Sequence, residues 1–590
     1  MRAFLLPAMS IAQLASASRG TTDERYVRPL LVAALLVAAF LSLWRLDIPL
    51  QGSEGRWGAV TMEMLSSGDF FRMTIGGSPY PDKPFGSYWL IAVVSALTGT
   101  LNEQTLRLPG ALCFVLTTYV VFLLGKRTIG ALPGAVAACV FATTFRILFF
   151  SRVASADPHT VLGVALAMLL IMEASEDQRW WHLPALGVVV GVTSLMKGLV
   201  GVAVPGFAAF LWALAVRGFG WVRPLPTVLG VLALGLTLGV PLAIPWLTRG
   251  DTGPLELLWR ESVTRGLTPF DHVQPWYFYF WNQFELLAPW SALLPAALAL
   301  AWLRVREQAR ARGGFSLRMY DRAEDRRRLF PLFGYLAIFV FFTLSGSRRT
   351  YYLLPIAPFF ALIVAEALLD SGRGWATWLR KWGLAAVAIS GTVSGVAALA
   401  LGILRLAHPL AAPAALDAFA VLPPEYWQAI PAWLPLVGAS IGLGVLLLRR
   451  MNDRLRALAP AMALVFVLLV GVLGTMESLR HQARELQRFC ATVRQIVPEG
   501  EAVEINAQQT DGGAVELTDA ARVVFYLGRP AVKPGARATR FRVVNNEWAQ
   551  AILASEPGRY VVRSIEEQNP AAHNDAKTEA RRRVLLERVS

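Results

Sequence analysis

Charged residues are scarce in this sequence of 590 residues, of which Asp, Glu, Lys and Arg make up only 16%. Soluble proteins contain about 25% charged residues, whereas 55% of this chain is hydrophobic and its mean hydropathy is +0.47. Cysteine is also rare, and Cys113, Cys139 and Cys490 lie too far apart for a disulfide framework or a cysteine-rich metal cluster. The composition predicts a polytopic membrane protein.

Motifs for nucleotide chemistry are missing as well. The sequence contains no Walker-type glycine-rich loop, no dinucleotide fingerprint and no His/Cys set with zinc spacing. The net charge of +15 would favour nucleic-acid binding in a soluble chain, but most of the surplus Lys and Arg lies in short connectors between apolar runs. We therefore interpret the charge as a topology signal and predict no nucleic-acid partner.

Apolar runs long enough to cross a bilayer recur along most of the chain. They lie near 29–46, 108–124, 129–149, 161–175, 182–197, 199–216, 225–248, 285–303, 329–345, 351–369, 382–404, 430–448 and 458–476. A shorter run, 86–100, is predicted to be juxtamembrane or re-entrant. With about 13 spans, basic connectors such as 126–127, 304–328 and 449–450 share the face of the N-terminus, which the positive-inside rule makes cytoplasmic.

This topology divides the chain into a transmembrane domain, 1–476, and an outer C-terminal domain, 477–590. The connectors predicted to lie outside, where chemistry is expected, are 47–107, 150–160, 249–284 and 345–350. After residue 476 the long apolar runs end, and a helical stretch is followed by short segments of β-like pattern. The helix is predicted at 477–497 and the strands near 502–505, 523–527, 541–544 and 560–563. The C-terminal segment is therefore predicted to be a small α/β domain.

The first outer connector carries a dense set of candidate ligand-binding residues. They are Glu54, Arg56, Trp57, Tyr80, Asp82 and Lys83. A carboxylate two residues from a guanidinium at the membrane boundary can hold an anionic lipid headgroup and still offer a carboxylate to a sugar. The alternative is a solvated connector with a surface ion pair.

Two further charged residues lie at the outer ends of apolar runs. Asp157 is followed by Pro158, an order that suits the N-cap and N1 positions of a helix, so capping alone would explain it. Lys197 separates two apolar runs, and the simpler interpretation is a lysine that snorkels to the interface. Together, the two residues are candidates for one site.

Arginines also occur in the later outer connectors, against the charge rule. Arg260 and Arg265 lie beside several aromatic residues, which fits a lipid-phosphate site or, for the aromatics alone, an ordinary interfacial belt. Arg348 precedes Tyr352 in the connector that begins at residue 345. Arginines placed outside against the positive-inside rule indicate an anionic partner.

No cofactor is predicted to be required. Oxygen and nitrogen ligands for a divalent cation are available at Glu54, Asp82 and His159, but they are dispersed along the sequence. We therefore predict no metal residues and leave a divalent metal as an open alternative.

These motifs carry a family resemblance. The acidic-x-Arg connector is followed in order by Gly-Asp-Phe, Tyr-Pro-Asp-Lys-Pro, Arg-Leu-Pro, Asp157, Met-Lys-Gly and Tyr-Tyr-Leu-Leu-Pro. The corresponding residues are 54–57, 68–70, 80–84, 107–109, 157, 196–198 and 351–355. The series resembles the GT-C-type membrane glycosyltransferases related to protein O-mannosyltransferases, and most of all the bacterial aminoarabinose transferases. One departure is Ser53, which stands where the family usually carries an Asp. The role of that Asp therefore cannot be assigned to the residue at this position.

The resemblance implies a GT-C-type fold and transfer of 4-amino-4-deoxy-L-arabinose from undecaprenyl phosphate to lipid A phosphates. The reaction would occur at the periplasmic face of the bacterial inner membrane, lowering the negative charge of lipopolysaccharide and conferring polymyxin resistance. Glu54 and Asp157 would be the catalytic carboxylates. The substrate-binding residues would be Arg56, Trp57, Tyr80, Asp82, Lys83, Lys197, Arg260, Arg265, Arg348 and Tyr352.

Two alternatives remain open from the residues alone. A protein O-mannosyltransferase-like enzyme would need a general base, because its acceptor is a hydroxyl group. A transporter or lipid flippase would place charged residues near the middle of spans, whereas in this sequence they cluster at one end.

Overall fold

A computed structural model of the protein describes most of the chain. The described residues are 11–80, 82–264, 272–311, 322–370, 374–408, 427, 430–450, 454–481, 484–505, 514–529, 531–532, 539–566 and 582–589. The α-helices, numbered α1 to α22 along the chain, are Ile11–Leu43, Glu54–Ser67, Gly86–Thr98, Glu103–Thr128, Ala131–Ala142, Phe145–Ser151, Asp157–Glu176, His182–Lys197, Val200–Trp212, Pro224–Leu234, Val240–Arg249, Gly253–Trp259, Phe278–Leu286, Leu294–Ala311, Ala323–Leu344, Ala357–Leu369, Gly374–Ala407, Leu434–Arg450, Arg454–His481, Glu485–Ile496, Ala514–Leu527 and Asn546–Ser555. The strands β1 to β7 are Thr74–Ile75, Ser78–Pro79, Val503–Ile505, Ala531–Val532, Phe541–Asn545, Tyr560–Ile565 and Arg583–Arg588.

The chain is a multi-pass α-helical membrane protein. Among the described residues, eight helical segments are long and apolar enough to span a membrane, or ten if each of two bent helix pairs counts as one span. The eight are Glu24–Leu43, Glu103–Thr128, Asp157–Glu176, Val200–Arg217, Pro224–Arg249, Ala323–Leu344, Thr350–Leu369 and Gly374–Ala407. The count of about 13 expected from the sequence therefore stays a prediction, because several further apolar helices are shorter.

Two runs predicted as single spans, 129–149 and 285–303, are bent in the structure. The first breaks by 64° between α5 and α6, and the second lies in a pair bent by 119° between α13 and the helix after it. The two breaks face each other. The N–H of Phe145 donates to the carbonyl of Ala288 at 2.9 Å, and the indole of Trp290 donates to the Thr143 hydroxyl at 2.9 Å. Backbone groups freed by a bend need such partners away from water.

Helix α7 connects the two ends of the helical bundle. It contains 20 residues, which at about 1.5 Å per residue gives roughly 30 Å, the thickness of a bilayer core. Asp157 begins α7, while Glu173 and Glu176 near its other end form ion pairs with Arg127 at 2.9 Å and Arg326 at 2.7 Å. Basic connectors predicted to share one face thus gather at the end opposite Asp157.

The described residues after 484 form a five-stranded sheet with helices. The strand order is β4-β3-β5-β7-β6, with β3 parallel to β4 and β5, and β7 antiparallel to β5 and β6. The strand predicted at 523–527 is wrong, because these residues end helix α21. A short apolar run does not distinguish a strand from the buried end of a helix.

This C-terminal sheet domain packs on helix α2, which lies in the connector that the sequence predicts to be the first one outside. The backbone N–H of Leu50 donates to the Tyr526 hydroxyl at 2.7 Å. A Cβ at Gly55 would lie within 2.9 Å of the Arg522 backbone, and one at Gly58 within 2.3 Å of the Phe525 ring. Apolar residues of both segments form one buried cluster. The two glycines therefore allow α21 to support the start of the first connector.

Candidate active site

Glu54 is part of a buried ion pair with Arg107. Arg107 on α4 donates from Nε and from one terminal nitrogen to the two Glu54 oxygens, each at 2.7 Å. The same guanidinium also donates to carbonyl oxygens in the segment that follows α1. These are the carbonyls of Leu46 at 2.7 Å, Ile48 at 2.6 Å and Pro49 at 3.2 Å. Arg107 is 1% exposed and Glu54 2% exposed.

The Glu54 carboxylate accepts two more hydrogen bonds, from the backbone N–H groups of Ala154 and Gln51, both at 3.0 Å. Its oxygens therefore join the segment after α1, helix α2, helix α4 and the connector before α7. A carboxylate with both oxygens occupied in this way is held in place rather than offered to a ligand. These contacts favour a positioning role for Glu54 over the predicted catalytic one.

Arg56, Tyr80 and Asp82 form a hydrogen-bonded chain at a more open place. A terminal nitrogen of Arg56 donates to the Tyr80 hydroxyl at 3.1 Å, and that hydroxyl donates to Asp82 Oδ2 at 3.1 Å. Burial raises the pKa of Tyr80, and the Asp82 charge raises it further, so Tyr80 stays a hydrogen-bond donor. Burial acts to raise the pKa of Asp82, but the Lys83 ammonium, the Tyr80 hydroxyl and the Arg56 charge together lower it below its ordinary value. Asp82 is thus an anion.

Lys83 lies between two carboxylates from distant parts of the chain. Its ammonium is 3.1 Å from Asp82 Oδ1 and 3.4 Å from Glu261 Oε2. Glu261 Oε1 lies 3.5 Å from Arg260 Nε. Glu261 follows α12 in a π-helical turn, Arg260–Thr264, and the sequence interpretation did not select it. Its only sequence signal is a carboxylate next to an arginine selected for its position outside.

Asp157 and Lys197 form a second ion pair. The capping interpretation of Asp157 is wrong, because Ala156 is the N-cap of α7 and no side chain caps that helix. The snorkelling interpretation of Lys197 is also wrong, because its ammonium turns inward over the rings of Tyr351 and Tyr352, at 5.7 and 5.2 Å from the ring centres. Cation–π contacts of this length stabilise a desolvated ammonium.

Backbone contacts hold the segments of the two ion-pair groups together. The hydroxyl of Ser87, four residues after Lys83, donates to the carbonyl of Met196 at 3.2 Å. The N–H of Leu199 donates to the hydroxyl of Ser262 at 3.0 Å, next to Glu261. The segments 83–87, 196–199 and 260–262 therefore meet, as expected for parts of one site.

Other predicted ligand-binding residues have different surroundings. Trp57 is buried and its ring packs on Tyr88 with 4.6 Å between ring centres, which favours a packing role. The Arg348 guanidinium donates to the carbonyl of Thr343 at 2.9 Å, and the backbone N–H of Arg348 donates to the carbonyl of His272 at 3.0 Å. Arg348 thus ties its own connector to the segment 272–274. Its neighbour Arg349 instead reaches the Tyr351 hydroxyl at 2.6 Å.

The structure does not place Arg265, and it does not gather the predicted metal ligands. Arg265 lies outside the described residues. Within the described part of the chain, no group of three or more His, Cys, Asp or Glu is placed to hold a metal ion, and Glu54, Asp82 and His159 are not brought together as ligands.

Comparisons with known proteins give a consistent result. Residues 82–246 match the family model described as dolichyl-phosphate-mannose-protein mannosyltransferase. A Pseudomonas fluorescens protein named undecaprenyl phosphate-alpha-4-amino-4-deoxy-L-arabinose arabinosyl transferase 2 is 27% identical over 369 residues, which are 60% of this chain and 58% of that protein. A similarly named Pseudomonas aeruginosa protein is 26% identical over 66% of this chain and 68% of its own length. The chain thus spans about three fifths of the P. fluorescens relative.

The fold is also similar to a solved structure. The crystal structure of ArnT from Cupriavidus metallidurans bound to undecaprenyl phosphate has a TM-score of 0.72 and 20% sequence identity, covering 95% of this chain and 98% of that one. The prediction that the chain has a GT-C-type fold and resembles the bacterial aminoarabinose transferases is therefore confirmed. The curated relatives that it is similar to are named arabinosyl transferases.

Proposed function

We propose that the chain is a glycosyltransferase that moves 4-amino-4-deoxy-L-arabinose from undecaprenyl phosphate to phosphate groups of lipid A. The observation that carries this proposal is the Lys83 group, in which three cations, Arg56, Lys83 and Arg260, lie close to Asp82 and Glu261. A lipid phosphate needs cations, and an amino sugar needs carboxylates. The similarity to named aminoarabinose transferases supports the choice of donor.

The site is proposed to face the periplasm, in an inner-membrane protein with about 13 spans. The basic connectors gather around Glu173 and Glu176, at the end of α7 opposite Asp157. The positive-inside rule makes the basic end cytoplasmic. Asp157, the Lys83 group and the C-terminal sheet domain, which packs on α2, would then lie outside.

In the proposed reaction, an oxygen of the acceptor phosphate attacks the anomeric carbon of the sugar. The bond from that carbon to the donor phosphate oxygen breaks, and undecaprenyl phosphate leaves with the electron pair. Lys83, Arg260 and Arg56, together with the predicted Arg265, would stabilise the leaving phosphate. The acceptor is already an anion, so positioning contributes more than proton removal. Asp157, oriented by Lys197, would place the acceptor or the sugar.

A hydroxyl-accepting enzyme is the second candidate, since the family model matched by residues 82–246 describes mannosyl transfer to protein. In that reaction a carboxylate must take the proton of a Ser or Thr hydroxyl. Because both Glu54 oxygens are occupied by Arg107, Asp157 would be the base.

Mass spectrometry of lipid A tests the proposal. A bacterial host lacking its own aminoarabinose transferase, but making the lipid-linked donor, would express either the wild-type chain or Lys83→Ala. Wild type should add a pentosamine-sized mass to lipid A and raise polymyxin resistance, whereas Lys83→Ala should not. Unmodified lipid A in a strain whose membranes contain the wild-type protein would contradict the proposed acceptor and sugar.

A further inference from the structure

Arg349 is a partly buried cation that has no carboxylate beside it. Among the described residues, its guanidinium forms no ion pair with an Asp or Glu. It donates instead to the Tyr351 hydroxyl at 2.6 Å and contacts a ring nitrogen of His272. Its Nε is buried and has no hydrogen-bond partner within the described part of the chain. Since a guanidinium offers five N–H groups, Arg349 keeps donors and its full charge for an anion.

The backbone of Arg349 is held in place by the segment that leads into α13. The hydroxyl of Tyr279, a fully buried residue of α13, donates to the carbonyl of Arg349 at 3.1 Å. Two residues before Arg349, Ser347 forms an antiparallel bridge with Val273. A charged side chain on a fixed backbone loses little conformational freedom when it binds a ligand. The position of Arg349 is therefore suited to binding.

The ring of Tyr351 connects Arg349 to the Asp157–Lys197 ion pair. The guanidinium carbon of Arg349 lies 5.6 Å from the centre of this ring, and the Lys197 ammonium lies 5.7 Å from it. Two cations thus contact one aromatic ring, and of the two Lys197 has a carboxylate partner, Asp157. Arg349 is therefore next to the part of the site that the proposed function gives to the acceptor or the sugar.

The neighbouring arginine, Arg348, has a different set of contacts. Its guanidinium donates to the backbone carbonyls of Thr343, at 2.9 Å, and Gln274. These contacts hold two chain segments together, and a ligand that took the guanidinium would leave the carbonyls without their donor. Of the two arginines, Arg349 is thus the one suited to an anionic ligand.

We propose that Arg349 binds the phosphate group of the acceptor. This inference rests on the proposed function and adds a second phosphate subsite to it, separate from the Lys83 group assigned to the donor. A phosphate monoester carries a charge of about −1.5 to −2 at neutral pH. Transfer between two lipid phosphates brings two anions to opposite sides of one sugar, where they repel each other. Each phosphate therefore needs a cation of its own.

The movement of charge during transfer predicts a kinetic signature for this subsite. As the acceptor oxygen bonds to the anomeric carbon and the bond to the donor oxygen breaks, the acceptor phosphate loses one negative charge and the leaving phosphate gains one. A cation at the acceptor therefore stabilises the bound substrate at least as much as the transition state. Its removal should raise the KM for the acceptor and change kcat much less.

The test measures kcat and both KM values of the purified full-length chain, with lipid A as acceptor and undecaprenyl-phosphate aminoarabinose as donor. Arg349→Gln should raise the KM for lipid A by about tenfold or more, the size expected for losing a charge-assisted hydrogen bond. The KM for the donor should stay near that of wild type. An unchanged KM for lipid A, or a rise confined to the donor, would overturn the inference.

A matched control is Arg146→Gln. The guanidinium carbon of Arg146 lies 5.9 Å from the centre of the Phe149 ring, a cation–π contact like that of Arg349, but Arg146 is paired with Glu285. Its replacement should leave the KM for lipid A unchanged. A rise as large as that of Arg349→Gln would contradict a local subsite.

A second variant, Arg349→Lys, replaces Arg349→Gln if the latter does not accumulate in membranes. Lysine keeps the charge but lacks the planar fork that matches a phosphate. The KM for lipid A should therefore rise by a smaller amount, again with little change in kcat. An unchanged KM for lipid A in this variant would then count against the subsite.

The result also separates this inference from the proposed function. If wild type does not transfer aminoarabinose to lipid A, the proposed function fails. If wild type transfers it but Arg349→Gln keeps the wild-type KM for lipid A, the proposed function stands and the acceptor subsite fails.

Discussion

Two groups of ion pairs lie near the end of the helical bundle at which α7 begins, and they differ in burial and in the length of their contacts. Arg107 and Glu54 are almost fully buried, and their contacts are 2.7 Å long. Lys83 is 22% exposed and shares longer contacts with Asp82 and Glu261. The first group joins four chain segments, whereas in the second the Lys83 ammonium is partly exposed and its contacts with carboxylates are longer.

The difference separates structural charges from ligand-binding ones. A buried ion pair needs good geometry and further hydrogen bonds to offset the loss of hydration, and Arg107 has them. A binding site must instead release its internal partners when the ligand arrives, so long and partly exposed pairs suit it. Burial and contact length together therefore distinguish a structural ion pair from a ligand-binding one, whereas residue type alone does not distinguish them.

The largest effect is expected on stability from Arg107→Ala. Removing the guanidinium leaves the Glu54 charge buried and unpaired, which costs about 3–5 kcal/mol. We expect low accumulation in membranes and a markedly lower melting temperature in detergent. Arg127→Ala on the same helix is the control, since Arg127 is 52% exposed and exposed pairs contribute about 0–1 kcal/mol. Equal melting temperatures of the two variants would contradict a structural role for Arg107.

A large effect on activity alone is expected from Lys83→Ala. Losing a charge-assisted contact to a phosphate costs about 2–5 kcal/mol, which corresponds to a rate loss of some tens- to thousands-fold. Initial rates with the aminoarabinose donor measure the loss, and the melting temperature should stay near that of wild type. Lys126→Ala, an exposed lysine at the opposite end of α4 from Glu103, should retain wild-type rates. Near-full activity of Lys83→Ala would remove Lys83 from the site.

Asp157→Asn distinguishes the two acceptors. With a phosphate acceptor, the variant should lose only part of its activity, because no proton must be removed. With a hydroxyl acceptor, loss of the base should reduce the rate roughly 100- to 10,000-fold, and the rise of rate with pH should disappear. Initial rates against pH for wild type and variant decide between them. A large loss with lipid A as acceptor would contradict the mechanism proposed for a phosphate nucleophile.

A smaller effect is expected from Tyr526→Phe, which tests the contact between the C-terminal sheet domain and the first connector. The change removes the acceptor of the Leu50 N–H and leaves the ring in place. Losing one such hydrogen bond costs about 1 kcal/mol. Thermal unfolding should show a slightly lower melting temperature with unchanged kcat/KM. An unaltered melting temperature would show that packing alone holds the domain on α2.

The smallest effect concerns Glu587 in the C-terminal sheet. The hydrogen bond from Arg563 lowers the pKa of Glu587 below its ordinary value of 4.5, and Arg540 adds to this against the opposing effect of burial. A lowered pKa stabilises the fold above pH 4.5, and this contribution is lost as the pH falls through the lowered value. Hydrogen exchange of β5 and β7 should show weaker acid sensitivity in Glu587→Gln. Identical acid profiles would exclude this linkage.

Much of the membrane fold follows from the sequence, because long apolar runs indicate membrane spans and basic connectors indicate topology. The bends at 142–145 and 286–290 were missed, since they depend on contacts between Phe145 and Ala288 that hydropathy does not encode. The strand β7, Arg583–Arg588, was also missed, because it pairs with segments far away in sequence.

The candidate site was only partly predictable for a similar reason. Lys83, Asp82 and Asp157 stand out by residue type and position at the ends of apolar runs. Asp82 pairs with its sequence neighbour Lys83, but two other partners come from distant parts of the chain: Lys197 for Asp157, and Glu261 for Lys83. Residue type identifies a charged side chain, but only the fold shows which charge it faces.

The most direct test of the contrast between the two ion-pair groups is the dissociation constant of undecaprenyl phosphate for wild type, Lys83→Ala and Lys126→Ala. The exchangeable Lys83 group should bind the lipid phosphate, so Lys83→Ala should bind at least about tenfold more weakly. Lys126→Ala, altered at the basic end, should bind like wild type. Equal affinity of wild type and Lys83→Ala would contradict the assignment of the open ion-pair group to the donor phosphate.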